Sequence, residues 1–586
     1  MATLRRASSA PAPALAAAVL VSLCLTALSA DEQLENLRFV RHAQDAPLVS
    51  SYNYIVIGGG TAGCPLAATL SEHSRVLLLE RGGLPYANMS SEEHFTDALA
   101  DTSPASPAQR FISEDGVVNA RARVLGGGSC LNAGFYTRAS NEYVRAAGWD
   151  ARLVNSSYRW VERSLVFRPD VPPWQAALRD ALLESGVTPD NGFTFDHVTG
   201  TKIGGTIFDN SGQRHTAADF LRHARPRGLT VLLYATVSRI LFKRQDGVPY
   251  PVAYGVVFTD PLGVQHRVYL RDGDKNEVIV SAGTLGSPQL LMLSGVGPQA
   301  HLEAHGIEVL VDQPMVGQGV ADNPMNSVFI PSPIPVELSL VQVVGITRSG
   351  SFIEGVSGSE FGMQVSDGAL RWAARRSFGM FSPQTGQLGT LPPKQRTPEA
   401  LQRAAEAMMR LDRRAFRGGF ILEKILGPVS SGHIELRTTD PRANPLVWFN
   451  YFRETEDVER CVHGLETIER VIQSQAFSNF TYANASVESI FSDSASFPVN
   501  LLPRHVNDSR SPEQYCRDTV MTIWHYHGGC HVGAVVDDDY RVFGVQGLRV
   551  IDSSTFKYSP GTNPQATVMM LGRYMGVKIQ AERWRK

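Results

Sequence analysis

The feature that most constrains the fold is a short apolar strand running straight into a glycine turn. Tyr54-Ile55-Val56-Ile57 is followed directly by Gly58-Gly59-Gly60-Thr61-Ala62-Gly63. Pro65 to Leu70 then begins a helix, and Arg75 to Glu80 reads as a second buried strand. This is the G-x-G-x-x-G order of a dinucleotide-binding unit. Gly58 permits the tight turn, Gly60 lets the backbone approach a pyrophosphate, and Gly63 allows the helix to pack on the strand. Thr61 and Ala62 lead into the helix N-terminus, whose free N–H groups and dipole favour phosphate. Glu80 stands seventeen residues past Gly63, where its carboxylate accepts hydrogen bonds from a ribose diol and repels a 2′-phosphate. The unit by itself leaves FAD and NAD open.

The rest of the chain suggests where this unit belongs. At 586 residues it is long enough for two or three structural units. Residues 229–242 and 252–258 read as paired β segments around Gln245-Asp246-Gly247, and Asn276 to Ala282 as a buried strand. Leu290 to Leu293 is expected to be helical after Pro288, and residues 104–107 to form a Pro/Ser-rich loop. From about 321 to 519 glycine turns become sparse and a charged helical run occupies 398–416; glycine patterns resume at 520. The expected fold class is α/β with an α+β second domain. A Rossmann-like nucleotide-binding domain spans 31–155, 215–320 and 520–586, with a substrate-binding domain inserted at 156–214 and 321–519.

With 55 basic and 57 acidic residues and no basic run, the chain has nothing that would draw it to nucleic acid. Residues 1–30 read as a signal peptide: Arg5 and Arg6, an apolar run from Ala14 to Leu28, then Ser29 and Ala30 before acidic Asp31-Glu32. That run falls short of the ~20 residues an anchor helix needs, and no later segment reads as a membrane span. Asn-x-Ser/Thr sequons at Asn88, Asn155, Asn479, Asn484 and Asn507 agree with a secreted or endoplasmic-reticulum protein. After Cys24 in the signal come Cys64, Cys130, Cys461, Cys516 and Cys530, an odd number, which suits one disulfide with three free thiols.

Three further blocks carry a resemblance. Arg121 to Arg138, with its Gly126-Gly127-Gly128 cluster, resembles the first signature of the glucose–methanol–choline (GMC) oxidoreductases. Ser281 to Pro298 resembles the second signature. Trp524 to Cys530, Gly547 to Asp552 and Asn563-Pro564-Gln565 resemble the family's catalytic end. Within the family the chain looks most like the plant HOTHEAD-like and mandelonitrile-lyase-like subgroup. The resemblance implies FAD, two domains and a site at their junction. It places the phosphates, ribose and adenine near Gly58 to Gly63, Glu80 and Val237, and the isoalloxazine near Val124, Ser129, Asn132, Trp524 and His525, with Gly128 and Ala133 also expected to bind the cofactor. Asp552 would hold the ribityl–pyrophosphate region, with Pro564 and Gln565 close by. No histidine lies in the first signature, so non-covalent FAD is expected. The resemblance also implies a Cys461–Cys516 disulfide.

By the same resemblance His525 and Asn563 are the catalytic pair. Oxidising an alcohol requires loss of the hydroxyl proton and transfer of a hydride from carbon. An imidazole suits the first task, flavin N5 the second, and an asparagine amide orients the oxygen. His525, His527, Cys530 and His531 are also zinc-ligand types, but no second ligand pair accompanies them, and no metal is expected. His527 reads as a packed histidine. The resemblance points to a long-chain fatty alcohol or ω-hydroxy fatty acid, a hydroxylated lipid for cuticle or pollen-wall polymers. The alternative is a hydroxynitrile lyase, whose partner position is a histidine where this chain has Asn563. A catalytically inactive binding protein is a third class, against which the intact His525 and Asn563 argue.

Overall fold

The computed structural model describes residues 37–85, 103, 105–358, 417–495 and 511–585. The expected signal peptide, the sequons at Asn88 and Asn507, Pro104 and the helical run at 398–416 lie outside the described residues.

Two sheets organise the chain. The first is a six-stranded parallel sheet in the order Val40–His42, Leu229–Leu233, Val76–Leu79, Tyr54–Ile57, Glu277–Val280, Leu548–Val550. Tyr54–Ile57 and Val76–Leu79 are buried at every position, as strands covered on both faces must be. On one face pack the helices Gly63–Leu70 and Gln565–Trp584, through Leu66, Leu70, Met570 and Met575. On the other lies a four-stranded sheet, Thr236–Lys243, Val252–Thr259, Gln265–Leu270 and Val49–Tyr52.

The second large sheet has seven strands in the order Met521–Thr522, Pro324–Pro331, Gly418–Ile425, Ser351–Ser357, Val343–Ile346, Gly200–Ile203, Asp190–Phe193. Alternate residues face opposite ways. Ile353, Ile421 and Ile425 pack with Trp174, Leu178, Leu465 and Ile468 of the helices Pro173–Glu184 and Thr455–Gln473. Phe352, Phe420 and Leu422 cluster with Met325, Val344, Val356 and Met521. The segment expected to return to the nucleotide-binding half at 520 first supplies this sheet's edge strand, Met521–Thr522.

Local readings need two corrections. Residues 229–242 are two strands in different sheets. The chain turns at Tyr234, φ 59°, so only Thr236–Lys243 pairs with Val252–Thr259. The helix expected after Pro288 begins five residues earlier and runs Gly283–Leu293 with Pro288 inside it. Its start is stabilised from far along the chain: the Gly283 N–H and Ser287 Oγ donate to Asp552 Oδ2 at 2.8 and 2.5 Å.

Cys461 on Thr455–Gln473 is disulfide-bonded to Cys516 on Pro512–Asp518, with Cα atoms 6.3 Å apart. Cys64, Cys130 and Cys530 are buried and form no disulfide among the described residues.

Candidate active site

The glycine turn after Tyr54–Ile57 is held tightly. A Cβ on Gly63 would stand 1.9 Å from Gly58 O, so only hydrogen allows the helix to sit this close to the strand. The second glycine cluster lies against the first. Gly127, φ +61°, has no room for a Cβ, which would stand 2.7 Å from Gly60 Cα. Two backbone turns far apart in sequence therefore form one wall.

Glu80 is fully pinned at the end of its strand. Its Oε2 accepts from Gly59 N at 2.9 Å and its Oε1 from Gly82 N at 2.7 Å. Burial pushes its pKa up, and those N–H groups oppose the rise. Each carboxylate oxygen keeps a lone pair for a diol. Arg81 and Arg121, which the sequence reading did not single out, line the same cavity. Burial pulls Arg81 down to about 10 and Arg121 well below its ordinary value. Arg121 donates to Gln289 Oε1 at 2.9 Å and to Ala443 O at 3.1 Å, while its Nε has no partner.

One continuous cavity runs from Glu80 to the C-terminal motifs. Its lining includes Gly58, Gly60, Thr61, Ala62, Val124, Gly128, Asn132, Ala133 and Val237, together with Trp524, His525, Asp552, Asn563, Pro564 and Gln565. Gly63 and Ser129 stand behind the wall. Ser129 Oγ donates to Gly126 O at 2.7 Å and accepts from Ala217 N at 2.9 Å, so it shapes the glycine cluster from within the core. Asn132 Nδ2 donates to Gln565 Oε1 at 2.8 Å, and Gln565 Nε2 to Phe135 O at 2.6 Å. These bonds tie the first signature to the last.

Trp524 adopts φ 59° and its N–H donates to Thr522 Oγ1 at 2.9 Å. Its indole Nε1 and Asn563 Oδ1 are buried without partners. Glycine walls, a buried and a half-buried arginine without an ion-pair partner among the described residues, a pinned carboxylate and orphaned polar atoms in one cavity suit a flat, polar ligand carrying a diphosphate.

His525 is nearly buried, 9% exposed. Its backbone N–H donates to Asp322 Oδ1 at 2.8 Å, and its Nδ1 lies 3.2 Å from Asn323 Nδ2. Burial, then Lys424 and His527, hold its pKa well below the ordinary 6.5, which favours the neutral ring. Asp322 was not foreseen. Its Oδ2 accepts from Tyr451 Oη at 2.7 Å and Thr522 Oγ1 at 2.6 Å, and burial raises its pKa to about 7. The sequence signal available was Ala321-Asp322-Asn323-Pro324, entering a strand just after a glycine-rich turn. His527 is packed inside, Nδ1 3.0 Å from His525 O, and burial lowers its pKa to about 4. Neither His527 nor His531 lines the cavity. Among the described residues no group of three or more His, Cys, Asp or Glu side chains is placed to hold a metal.

Comparison with known proteins agrees with this geometry. Two family models, both described as GMC oxidoreductase, match residues 52–325 and 428–572. The chain is 52% identical over 537 residues to Protein HOTHEAD of Arabidopsis thaliana, covering 91% of this chain and 89% of that protein. It is 48% identical over 557 residues to an (R)-mandelonitrile lyase-like protein of the same plant, covering 94% and 93%. Among solved structures, a formate oxidase of Aspergillus oryzae superposes with a TM-score of 0.71 at 18% identity, over 92% of this chain and 99% of that one.

Proposed function

The chain belongs to the GMC oxidoreductase family and is an FAD-dependent enzyme acting on alcohols, and from this premise we propose that it oxidises the hydroxyl of a long-chain fatty alcohol or ω-hydroxy fatty acid. The observation that carries the reading is that His525 and Asn563 both line the cavity that also holds the glycine cradle and Glu80. The wall beyond them is largely apolar, with Met325, Val341, Val356, Leu422 and Ile523, which suits a hydrocarbon chain.

FAD, when bound, supplies the hydride acceptor. Glu80 would hold its ribose, the Gly58–Gly63 turn and Arg121 its diphosphate, and Trp524 and Asn563 the polar edges of its ring. His525 Nε2 takes the hydroxyl proton, and the Asn563 amide orients the same oxygen. Base action at Nε2 requires the ring proton on Nδ1. Asn323 allows this: its Oδ1 has no other partner, so the amide, turned over, accepts from Nδ1–H. Asp322 anchors the His525 backbone, fixing where the ring points.

We assign 31–155, 215–320 and 520–586 to the FAD-binding half and 156–214 and 321–519 to the substrate-binding half. The strand origins of the two large sheets support this, apart from the Met521–Thr522 edge strand; two small sheets join the halves, Gln318–Val320 with Gly432–Glu435 and Leu446–Trp448, and Phe135–Tyr136 with Gly205–Thr206. Hydroxynitrile cleavage is the rival activity, supported by the likeness to the mandelonitrile lyase-like relative. Asn563 in place of a second imidazole disfavours it. Anaerobic bleaching of the bound flavin by fatty alcohols and ω-hydroxy acids, beside cyanide release from mandelonitrile, tests both. Bleaching without cyanide is expected; cyanide release without bleaching would overturn the oxidation.

We further infer a secretory route, to the cell exterior or the endoplasmic reticulum. The Cys461–Cys516 disulfide supports it, as do the exposed sequons Asn155, Asn479 and Asn484. Among the described residues no helix is long and apolar enough to cross a membrane. Protein expressed in plant cells should gain mobility on glycosidase treatment. An unshifted, cytosolic chain would contradict this route.

A further inference from the structure

We propose that the cavity contains a second recognition point for substrate: the free carboxylate oxygen of Glu354, which accepts a hydrogen bond from a second hydroxyl on the alcohol being oxidised. The inference rests on the alcohol-oxidising reading and narrows its substrate class.

Glu354 lies on the strand Ser351–Ser357 and Lys424 on its antiparallel neighbour Gly418–Ile425, where Phe352 is opposite Lys424 and Glu354 opposite Leu422. The two side chains are therefore diagonal neighbours on the face that lines the cavity. They are 0% and 1% exposed, and Lys424 Nζ donates to Glu354 Oε2. Lys424 also stands over the Phe352 ring, 5.4 Å from its centroid. The ion pair uses only one carboxylate oxygen. Glu354 Oε1 is buried and has no partner.

That loose end sits in an apolar wall of Met325, Val341, Val356, Leu422 and Ile523. A buried acceptor left unpaired is costly, and the cost grows when the acceptor is ionised. A bare alkyl chain lying along this wall would leave Oε1 without a donor. A second hydroxyl on the substrate removes the penalty. Sites of this kind reject an analogue lacking the donor far more strongly than a purely apolar pocket rejects an extra methylene. The same oxygen repels a carboxylate, so the acid end of an ω-hydroxy acid must lie away from this wall. Glu354, Lys424 and His525 line one and the same cavity, and the Lys424 charge helps to hold the histidine's pKa down.

The test compares matched alcohols: α,ω-diols against mono-alcohols of equal length, and 3- or 4-hydroxycinnamyl alcohol against cinnamyl alcohol. The first set reports a chain-borne hydroxyl, the second a ring-borne one. In at least one pair the hydroxylated member should have a kcat/KM about 10- to 100-fold higher, as expected for a hydrogen bond to a charged group. Glu354→Leu/Lys424→Met removes the pair as a unit, leaving no buried charge uncompensated. In that double variant the preference should collapse. A companion measurement needs no turnover: 4-hydroxycinnamaldehyde and cinnamaldehyde are titrated into the holoenzyme and binding is read from the flavin spectrum. If no alcohol bleaches the flavin but the hydroxylated aldehyde binds tighter only in wild type, the oxidation reading fails and the Glu354 site stands. If no pair differs beyond a statistical factor of about 2, or the preference survives in the double variant, the proposal is overturned.

Discussion

Replacing His525 with alanine is expected to slow substrate-driven bleaching of the flavin by ~10²–10⁴-fold, the usual worth of a positioned general base, while leaving the flavin bound. The imidazole's recorded hydrogen-bonding contact is with Asn323, and the cradle at Gly58–Gly63 and Glu80 does not depend on it. The backbone bond from residue 525 to Asp322 survives the substitution. Asn563→Ala should lose less, because the amide orients the oxygen without taking its proton. His527→Ala should act through packing, since that ring is buried outside the cavity wall. The pH dependence has a definite sign. The base works unprotonated, so the rate rises with pH through the His525 pKa. Burial and Lys424 hold that pKa well below 6.5, and the acid limb should therefore lie below the ordinary histidine range. Anaerobic stopped-flow reduction against pH, on variants first checked for flavin content, decides the matter. Wild-type bleaching in His525→Ala with slow bleaching in His527→Ala would move the base to His527. Normal rates in both would remove the general base from this segment altogether.

Local patterns were the legible part of this chain. The strand Tyr54–Ile57, its glycine turn and the helix from Gly63 could be read because each depends on neighbours within a few residues. The split at Tyr234 was invisible because 229–242 is one run of β-forming residues, and a positive φ in a tyrosine leaves no compositional trace. The true start of Gly283–Leu293 was hidden for another reason. Its stabilising acceptor, Asp552, comes from the far end of the chain. Glu354 and Lys424 illustrate the same limit in a sheet. Period-two alternation says that they share a face, but only strand order and register reveal that they meet and that the face lines a cavity. Asp322 and Tyr451 join His525 from segments that nothing in the local sequence connects.

Two glycines of one turn should fail in opposite ways. Gly63→Ala would bring a Cβ to 1.9 Å from Gly58 O and 3.1 Å from Gly58 C. Both are backbone atoms of the neighbouring turn, so no rotamer relieves the clash and the helix must separate from the strand. Overpacking of this kind costs ~1–3 kcal/mol or more, and here it falls on the middle of the parallel sheet. The expected result is little soluble protein, and that without flavin. At Gly60 the nearest atom to an added Cβ is Gly127 Cα at 3.8 Å, an ordinary contact. Nothing in the polypeptide requires glycine there, yet Gly60 lines the cavity. If its role is to let the dinucleotide approach the backbone, Gly60→Ala should fold, with an apoprotein melting temperature close to wild type, and should bind FAD about 10- to 100-fold more weakly, the affinity equivalent of ~1–3 kcal/mol of steric cost. Flavin retained after dialysis, FAD affinity from fluorescence quenching and apoprotein melting separate the two cases. Wild-type FAD affinity in Gly60→Ala would show that the cofactor does not press on this turn. A yellow, stable Gly63→Ala protein would show that the strand and helix can part without losing the site.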